Sequence, residues 1–334
     1  MELPKAMLAI MQDRFDTSFI KFLAIVLITN SHLYGLYPFP QLATGGAIGN
    51  SLFFMISGYG LVKSETKQQR PFIEWYRRRF ARIYPSVIIT VAIYNMWLDR
   101  GWQKWALADY VSNFIWPTPA WFVSAIMFFY LVFFMIMKIG RPAFYILGIL
   151  FLYVPYFYYY FTFIDFSRYS IEGPGYFKWI FYLQIMFFGG YLASKDKEIK
   201  AGKIIHFVYL ISLLAFYFLI IMAVKSGFGE VQALIHIITF PIVFLVLALS
   251  RSHFVMERIA LSKPINLAIT LIGSVTLEIY LLQYSVYTNK IIRSLFFPVD
   301  IIVFGLVVLI LAVALSNASK WIQKIFRSPL DART

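Results

Sequence analysis

The sequence contains no cysteine, which excludes disulfide bonds, a thiol nucleophile and a cysteine-ligated metal. Charged residues are also scarce, at 14% of the 334 residues, against about 25% in an ordinary soluble domain. Apolar residues make up 60% of the chain and aromatic residues 20%. Because a water-soluble fold has too little interior to hide this much apolar surface, the composition predicts an integral membrane protein.

Ten apolar runs have about the length that a helix needs to cross a bilayer, roughly 20 residues. They lie near residues 17–36, 46–62, 83–98, 120–138, 143–162, 177–194, 204–224, 231–250, 266–286 and 299–318. We therefore predict an all-α membrane protein, a single domain over residues 1–334 built as one bundle of about ten transmembrane helices. The first run contains Lys21 and His32 and lacks a small-residue cleavage pattern, so we predict a retained span rather than a signal peptide.

The net charge of +14 has two explanations. A high positive charge is typical of proteins that bind nucleic acid. It is also typical of multispanning membrane proteins, which accumulate Lys and Arg on the cytoplasmic side. With the N-terminus inside, 22 of the 30 basic residues fall in cytoplasmic segments and 7 fall in outer loops. This imbalance favours the membrane explanation and predicts both termini in the cytoplasm, with no nucleic-acid partner.

Ionisable residues within spans usually mark a pathway or a reaction site, and three stand out here: Lys21, His32 and Glu278. Lys21 and His32 are eleven residues apart and so share one helix face. Lys21 is either a topology anchor or part of a site. His32, predicted to be buried, either makes an interhelical hydrogen bond or moves protons. Glu278 is predicted at mid-span, protonated or paired, and we expect it to pair with His32 or Lys21.

Two further segments each allow two interpretations. If the segment 72–85 is helical, Arg79 and Arg82 share a face, and paired guanidinium groups suit a phosphate ligand. The alternative is anchoring by positive charge, with contact to anionic lipid headgroups. Upstream, the small residues between Gly45 and Tyr59 permit either close helix packing or a non-helical segment that lines a cavity.

Five sequence elements follow in order through the first quarter of the chain. They are Arg14-x-Asp16, Lys21-x10-His32, the segment Ser51-Leu-Phe-Phe-Met-Ile-Ser57-Gly58, Arg79-x-x-Arg82, and Ile83-Tyr84-Pro85. Weaker elements are Trp121-Phe122, Phe188-Gly189-Gly190-Tyr191 and the segment Thr276 to Gln283. This set resembles the acyltransferase-3 family, integral membrane proteins that O-acylate carbohydrates such as bacterial surface polysaccharides. Lys21 stands where the family usually has Arg, and Gln283 stands where many relatives have His, so we assign Gln283 no catalytic role.

The resemblance implies a membrane O-acyltransferase of the bacterial inner or plasma membrane, an O-acetyltransferase by expectation. Acetyl-CoA would be the co-substrate, and the acceptor would be a sugar hydroxyl of a surface polysaccharide or its lipid-linked precursor. Membrane lipids are further partners, and no metal is expected. The implied catalytic residues are His32, Lys21 and Glu278, and the implied donor-binding residues are Arg79, Arg82, Arg14 and Ser57.

A transporter or exporter of a lipid-linked or small anionic substrate is the alternative function. Ten spans with buried Lys, His and Glu would suit it as well. Transporters often have two related halves with corresponding polar sites. Here the polar residues are concentrated in the first 85 positions, which disfavours this alternative.

Overall fold

The computed structural model describes residues 5–67, 69–94, 101–117, 120–173 and 175–326; side chains are described for 17–66, 69–94, 102–117, 120–173 and 175–324. This part of the chain is helical and contains no strand. The helices are α1 (Lys5–His32), α2 (Gly46–Lys67), α3 (Phe72–Val91), α4 (Leu107–Tyr110), α5 (Trp121–Ile139), α6 (Pro142–Phe163), α7 (Phe177–Ser194), α8 (Ile204–Lys225), α9 (Ala233–Ser250), α10 (Lys263–Ser274), α11 (Thr276–Tyr287), α12 (Lys290–Arg293) and α13 (Val299–Phe326).

Each predicted span overlaps a helix, and the ninth is divided at Val275 between α10 and α11. Within the described residues, six helical segments are long and apolar enough to cross a membrane, or seven if α10 and α11 form one bent span. Lys178 and Gln184 lower the hydropathy of α7, which is not among the six. The all-α fold is confirmed, while the ten spans and the cytoplasmic termini stay predictions.

Helix fills most of residues 63–82, the interval between the second and third predicted spans. Helix α2 continues to Lys67 and α3 begins at Phe72, so four residues connect them. Two features make the start of α3 helical. Trp75 is fully buried on one side of α3, and Glu74 forms ion pairs with Arg70 at 3.5 Å and Arg78 at 3.1 Å. The arginine-rich segment is therefore part of a helix.

The first of two compact units consists of Met1–Val26, Ala47–Gln69 and Phe133–Ser274. In it α6 packs on α7, and α8 packs on α9. Helices α2 and α7 approach through glycine: a Cβ at Gly58 would lie 2.1 Å from the carbonyl oxygen of Met186, and one at Gly189 would lie 2.0 Å from that of Met55. These two glycines thus permit backbone contact between the helices, as the close-packing interpretation predicted.

An ion cluster around Asp196 connects α2 with the residues that follow α7 and α9 in the first unit. Lys63 and Tyr59 of α2 donate hydrogen bonds to the two carboxylate oxygens, and Arg251 lies 2.6 Å from Oδ1. Burial raises the pKa of the Asp196 carboxyl, but these hydrogen bonds outweigh burial and hold the pKa below its usual value. Lys63 is therefore engaged by an acidic partner within this unit.

The second unit consists of Leu27–Gly46, Arg70–Val132 and Val275–Thr334. Helices α3, α11 and α13 pack against one another in it. The non-helical segment predicted near the glycines ends at Gly45, whose φ of +98° favours glycine, and α2 begins at the next residue. The single domain over residues 1–334 stays a prediction.

Candidate active site

His32 is the last residue of α1. The residue is exposed on the surface of the chain, so the predicted burial of its imidazole is wrong. The reason is that the helix stops here: the Leu33 amide bonds to the Asn30 carbonyl in a turn at 3.1 Å. Among the described residues, no group hydrogen-bonds to either ring nitrogen. The imidazole can therefore accept a proton or a ligand without breaking a contact.

Asn30 fixes the segment 33–45 beside this helix end. Its Nδ2 donates to the carbonyl oxygens of Leu42 at 2.8 Å and Thr44 at 2.9 Å. Its Oδ1 accepts a 2.6 Å hydrogen bond from the Tyr37 hydroxyl. The side-chain nitrogen and oxygen of Asn30 are thus both engaged in ordering the chain next to His32.

Helix α11 is hydrogen-bonded to the last turn of α1. Thr29 Oγ1 donates to Gln283 Oε1 at 3.0 Å, and Gln283 is only 3% exposed. One turn further, the Tyr287 hydroxyl accepts a 3.2 Å hydrogen bond from the Gly35 amide. Gln283, which the sequence analysis left without a catalytic role, thus contacts α1 three residues before His32.

Glu278 lies in the first turn of α11, because the break at Val275 divides the predicted ninth span. Its mid-span position stays a prediction, because α10 and α11 together are a candidate for one bent span. Ser86 Oγ of α3 donates a 2.8 Å hydrogen bond to Glu278 Oε1, and both residues are buried. The structure thus pairs this carboxylate with Ser86 rather than with His32, and its pairing with Lys21 stays a prediction.

Arg79 and Arg82 lie on one side of α3, as the predicted helix requires. The Arg79 guanidinium lies 4.2 Å from the centroid of the Trp75 ring and donates to the Trp75 carbonyl oxygen at 3.1 Å. Arg82 is exposed. The two residues are three positions apart in a helix, so their positive charges lie on one face within one turn of each other.

The same face of α3 connects the arginine pair to Glu278. Arg79, Arg82 and Ser86 are spaced by three and four residues, which places them along one side of the helix. Ser86 lies about 6 Å beyond Arg82 along the axis. The arginine pair is therefore one helical turn from the Ser86–Glu278 hydrogen bond.

Helix α11 continues this series of contacts towards His32. From Glu278 to Gln283 the helix rises by about 7.5 Å, and from Thr29 to His32 the rise is about 4.5 Å. The Ser86–Glu278 and Thr29–Gln283 hydrogen bonds thus join the arginine pair to the His32 turn through three helices of the second unit. We call this arrangement the α3–α11–α1 series.

The other predicted site residues belong to the first unit. Lys21 is half-buried in α1. Ser57 is half-buried in α2, and its hydroxyl donates to the Phe53 carbonyl oxygen at 2.7 Å. The side chain of Arg14 lies outside the described residues. The roles of these three residues stay predictions.

Sequence reasoning missed a second histidine within a predicted span, His236 of α9. Its Nε2 lies 3.0 Å from Glu172 Oε1 and its Nδ1 lies 2.8 Å from the Tyr156 hydroxyl. The ring stacks on Phe181 at 3.7 Å, and the Tyr182 hydroxyl donates to Glu172 Oε2 at 2.7 Å. The rule that singled out His32, an ionisable residue within a span, would have found His236 as well.

The chain is similar to known acyltransferases. The model of the acyltransferase-3 family, described as an acyltransferase domain, matches residues 17–318. The peptidoglycan O-acetyltransferase OatA of Listeria monocytogenes serovar 1/2a is 29% identical over 112 residues. That match covers 31% of this chain and 17% of OatA. No solved structure matches the chain.

Proposed function

The chain belongs to the acyltransferase-3 family, and on that premise we propose that it is a membrane O-acetyltransferase. The donor is acetyl-CoA, which binds from the cytoplasmic side. The acceptor is a sugar hydroxyl of a surface polysaccharide or of its lipid-linked precursor. The acetyl group and the glycan acceptor are inferred from OatA, a peptidoglycan O-acetyltransferase that is similar over 31% of this chain.

The α3–α11–α1 series is the observation that supports this proposal. An acyl-CoA carries its phosphates at one end and its thioester at the other. Two adjacent guanidinium groups suit the phosphates, since Arg binds phosphate oxygens bidentately. His32, with both ring nitrogens unengaged by the described residues, suits the thioester end. The buried hydrogen bonds of Glu278 and Gln283 hold the intervening helices together, which assigns Glu278 a positioning role.

Acetyl transfer requires one proton transfer and the replacement of a carbon–sulfur bond by a carbon–oxygen bond. The acceptor hydroxyl oxygen bonds to the thioester carbonyl carbon, the carbon–sulfur bond breaks, and the hydroxyl proton is passed on to the leaving thiolate. An imidazole serves either by accepting that proton or by carrying the acetyl group between donor and acceptor. Both roles require a ring nitrogen that is not committed to another partner.

Incubation of the purified protein with labelled acetyl-CoA and candidate glycans tests the activity directly. Peptidoglycan fragments are the first acceptors to try, because OatA is similar to part of the chain. We expect mass spectrometry to find the label on a sugar hydroxyl. A protein that binds coenzyme A but labels none of the glycans would contradict the proposed acceptor class.

Replacement of Arg79 or Arg82 by alanine is expected to weaken coenzyme A binding by about ten- to a hundredfold, since a hydrogen bond to a charged group contributes roughly 1.5–3 kcal/mol. Acceptor affinity should change little. Lysine should restore only part of the affinity, because an ammonium lacks the planar two-pronged grip of Arg. Isothermal titration calorimetry on detergent-purified variants measures the effect.

Arg77→Ala is the matched control for this experiment, because it removes the same charge from the same helix but from a different face. If the pair only anchors the helix to anionic lipid, the variants should show lower expression or altered topology with unchanged donor affinity. Wild-type affinity in an Arg79→Ala/Arg82→Ala protein would show that the donor binds elsewhere.

Lys21→Arg is expected to retain substantial transferase activity and Lys21→Ala to lose it, because the family has a cation at this position. Both variants should be compared at equal membrane insertion, judged by expression and gel filtration. Normal activity in the alanine variant would reduce Lys21 to a topology anchor.

A further inference from the structure

A cavity of about 360 Å³ lies in the first unit. None of its lining residues belongs to the α3–α11–α1 series. Its walls come from the end of α7, the segment 195–200, the first turn of α8 and the last turns of α9. Lys195, Lys200 and His206 are its basic groups, and Tyr191 and Phe244 are its aromatic ones. We call it the Lys200 cavity.

The charges around this cavity leave Lys200 available for a ligand. Lys195 is paired with Glu198, a second lining residue, at 2.7 Å. The neighbouring carboxylate of Asp196 is engaged by Lys63 and Arg251. Lys200 is exposed, and within the described part of the chain it has no hydrogen bond or ion pair. The cavity therefore offers an ammonium group that the protein itself does not neutralise.

His206 supplies a hydrogen-bond donor to the Lys200 cavity. Its Nδ1 accepts a 2.9 Å hydrogen bond from the Lys203 amide. A neutral imidazole whose Nδ1 is an acceptor carries its proton on Nε2. His206 therefore holds one N–H available to a ligand, and it stands in the first turn of α8, where unpaired amides favour an anion.

The surface next to the cavity is apolar. Helix α8 is strongly apolar, and only 17% of its most apolar 18 residues is buried within the protein. Ile204 is 79% exposed, and Phe207 and Val208 are each 50% exposed. This surface begins in the same helical turn as His206, so a ligand that is anionic at one end and apolar along its length would match both features.

We propose that the Lys200 cavity binds the phosphate headgroup of an anionic phospholipid, whose acyl chains lie along α8. Lys200 and the Nε2–H of His206 donate to the phosphate oxygens, and Tyr191 and Phe244 pack against the headgroup carbons. A water-soluble phosphate would use the donors but leave the exposed apolar turns of α8 uncovered, which is why a lipid is the better occupant.

Native mass spectrometry of the detergent-purified full chain tests this assignment. We expect phosphatidylglycerol to bind more tightly than phosphatidylcholine with the same acyl chains, and Lys200→Glu to weaken phosphatidylglycerol binding by at least about tenfold. The matched control is Lys197→Glu, because Lys197 is an exposed lysine of the same segment that does not line the cavity. Lys197→Glu should bind as wild type does.

Two outcomes would overturn the proposal. Equal weakening in the Lys197 and Lys200 variants, or none in either, would show that the cavity does not select the lipid. Competition by glycerol 3-phosphate, which carries the phosphate without acyl chains, would show that the site takes a soluble phosphate instead. Lys200→Gln removes the charge without reversing it and keeps the test decisive if Lys200→Glu unfolds, as judged by gel filtration.

Discussion

Replacement of His32 by alanine is expected to lower acetyl transfer by about 10²- to 10⁴-fold, the range for a lost proton-transferring side chain. Folding should be unaffected, because the imidazole is exposed and no described residue hydrogen-bonds to it. Coenzyme A affinity should also persist, since the phosphates are proposed to bind at Arg79 and Arg82. The measurement is turnover of labelled acetyl-CoA together with calorimetric donor binding on the same preparation.

His253→Ala is the control for the His32 variant, because His253 is an exposed histidine whose Nε2 lies 2.7 Å from Glu257 Oε1. It should transfer acetyl groups at the wild-type rate. Intact-protein mass measurement after acid quenching separates the two proposed roles of His32, because only a covalent carrier adds an acetyl group to the enzyme. Activity near wild type in His32→Ala, at equal expression, would remove His32 from the mechanism.

Replacement of His236 by alanine is expected to destabilise the fold by at least about 1–3 kcal/mol, the usual cost of leaving a buried hydrogen-bonding group without its partner. His236 is 2% exposed, and its removal leaves the Glu172 carboxylate and the Tyr156 hydroxyl without their shared partner. Because an ionised carboxylate only accepts, Nε2 holds the proton and Nδ1 accepts from Tyr156. The effect is read as a lower unfolding temperature of the purified protein.

His253→Ala is again the matched control, since it breaks a His–Glu contact of 2.7 Å at an exposed position. Its unfolding temperature should stay at the wild-type value, because surface ion pairs contribute little. The unfolding temperature of Glu172→Gln should fall between those of His236→Ala and His253→Ala, because one amide oxygen replaces two carboxylate oxygens. An unchanged unfolding temperature in His236→Ala would show that the network is not a stabilising contact.

The sequence predicted the helices well where apolar residues run without interruption. Helix α7 (Phe177–Ser194) coincides with its predicted span, and α6 and α8 agree with theirs within about a residue. A long apolar run in lipid forms a helix, because the backbone there must satisfy its hydrogen bonds within the segment. The ordered motifs predicted the acyltransferase-3 family, which the match over residues 17–318 confirmed.

Hydropathy failed where a helix is amphipathic or broken. It placed the start of the third span at residue 83, although α3 begins at Phe72, because the charged face of that helix masks the apolar face that buries Trp75. It also read residues 266–286 as one helix, although Val275 divides them. Hydropathy averaged along the sequence does not show which face of a helix is buried or where the backbone bends.

The sequence by itself determined the membrane class and the family, because composition and motif order depend only on the chain. Tertiary structure alone decided which groups meet. It paired Glu278 with Ser86 across 192 residues of sequence and Gln283 with Thr29 across 254. It also exposed His32 and buried His236, although both lie in apolar runs. Helical periodicity fixes which residues share a face, but which other helix covers that face is decided by packing between segments far apart in sequence.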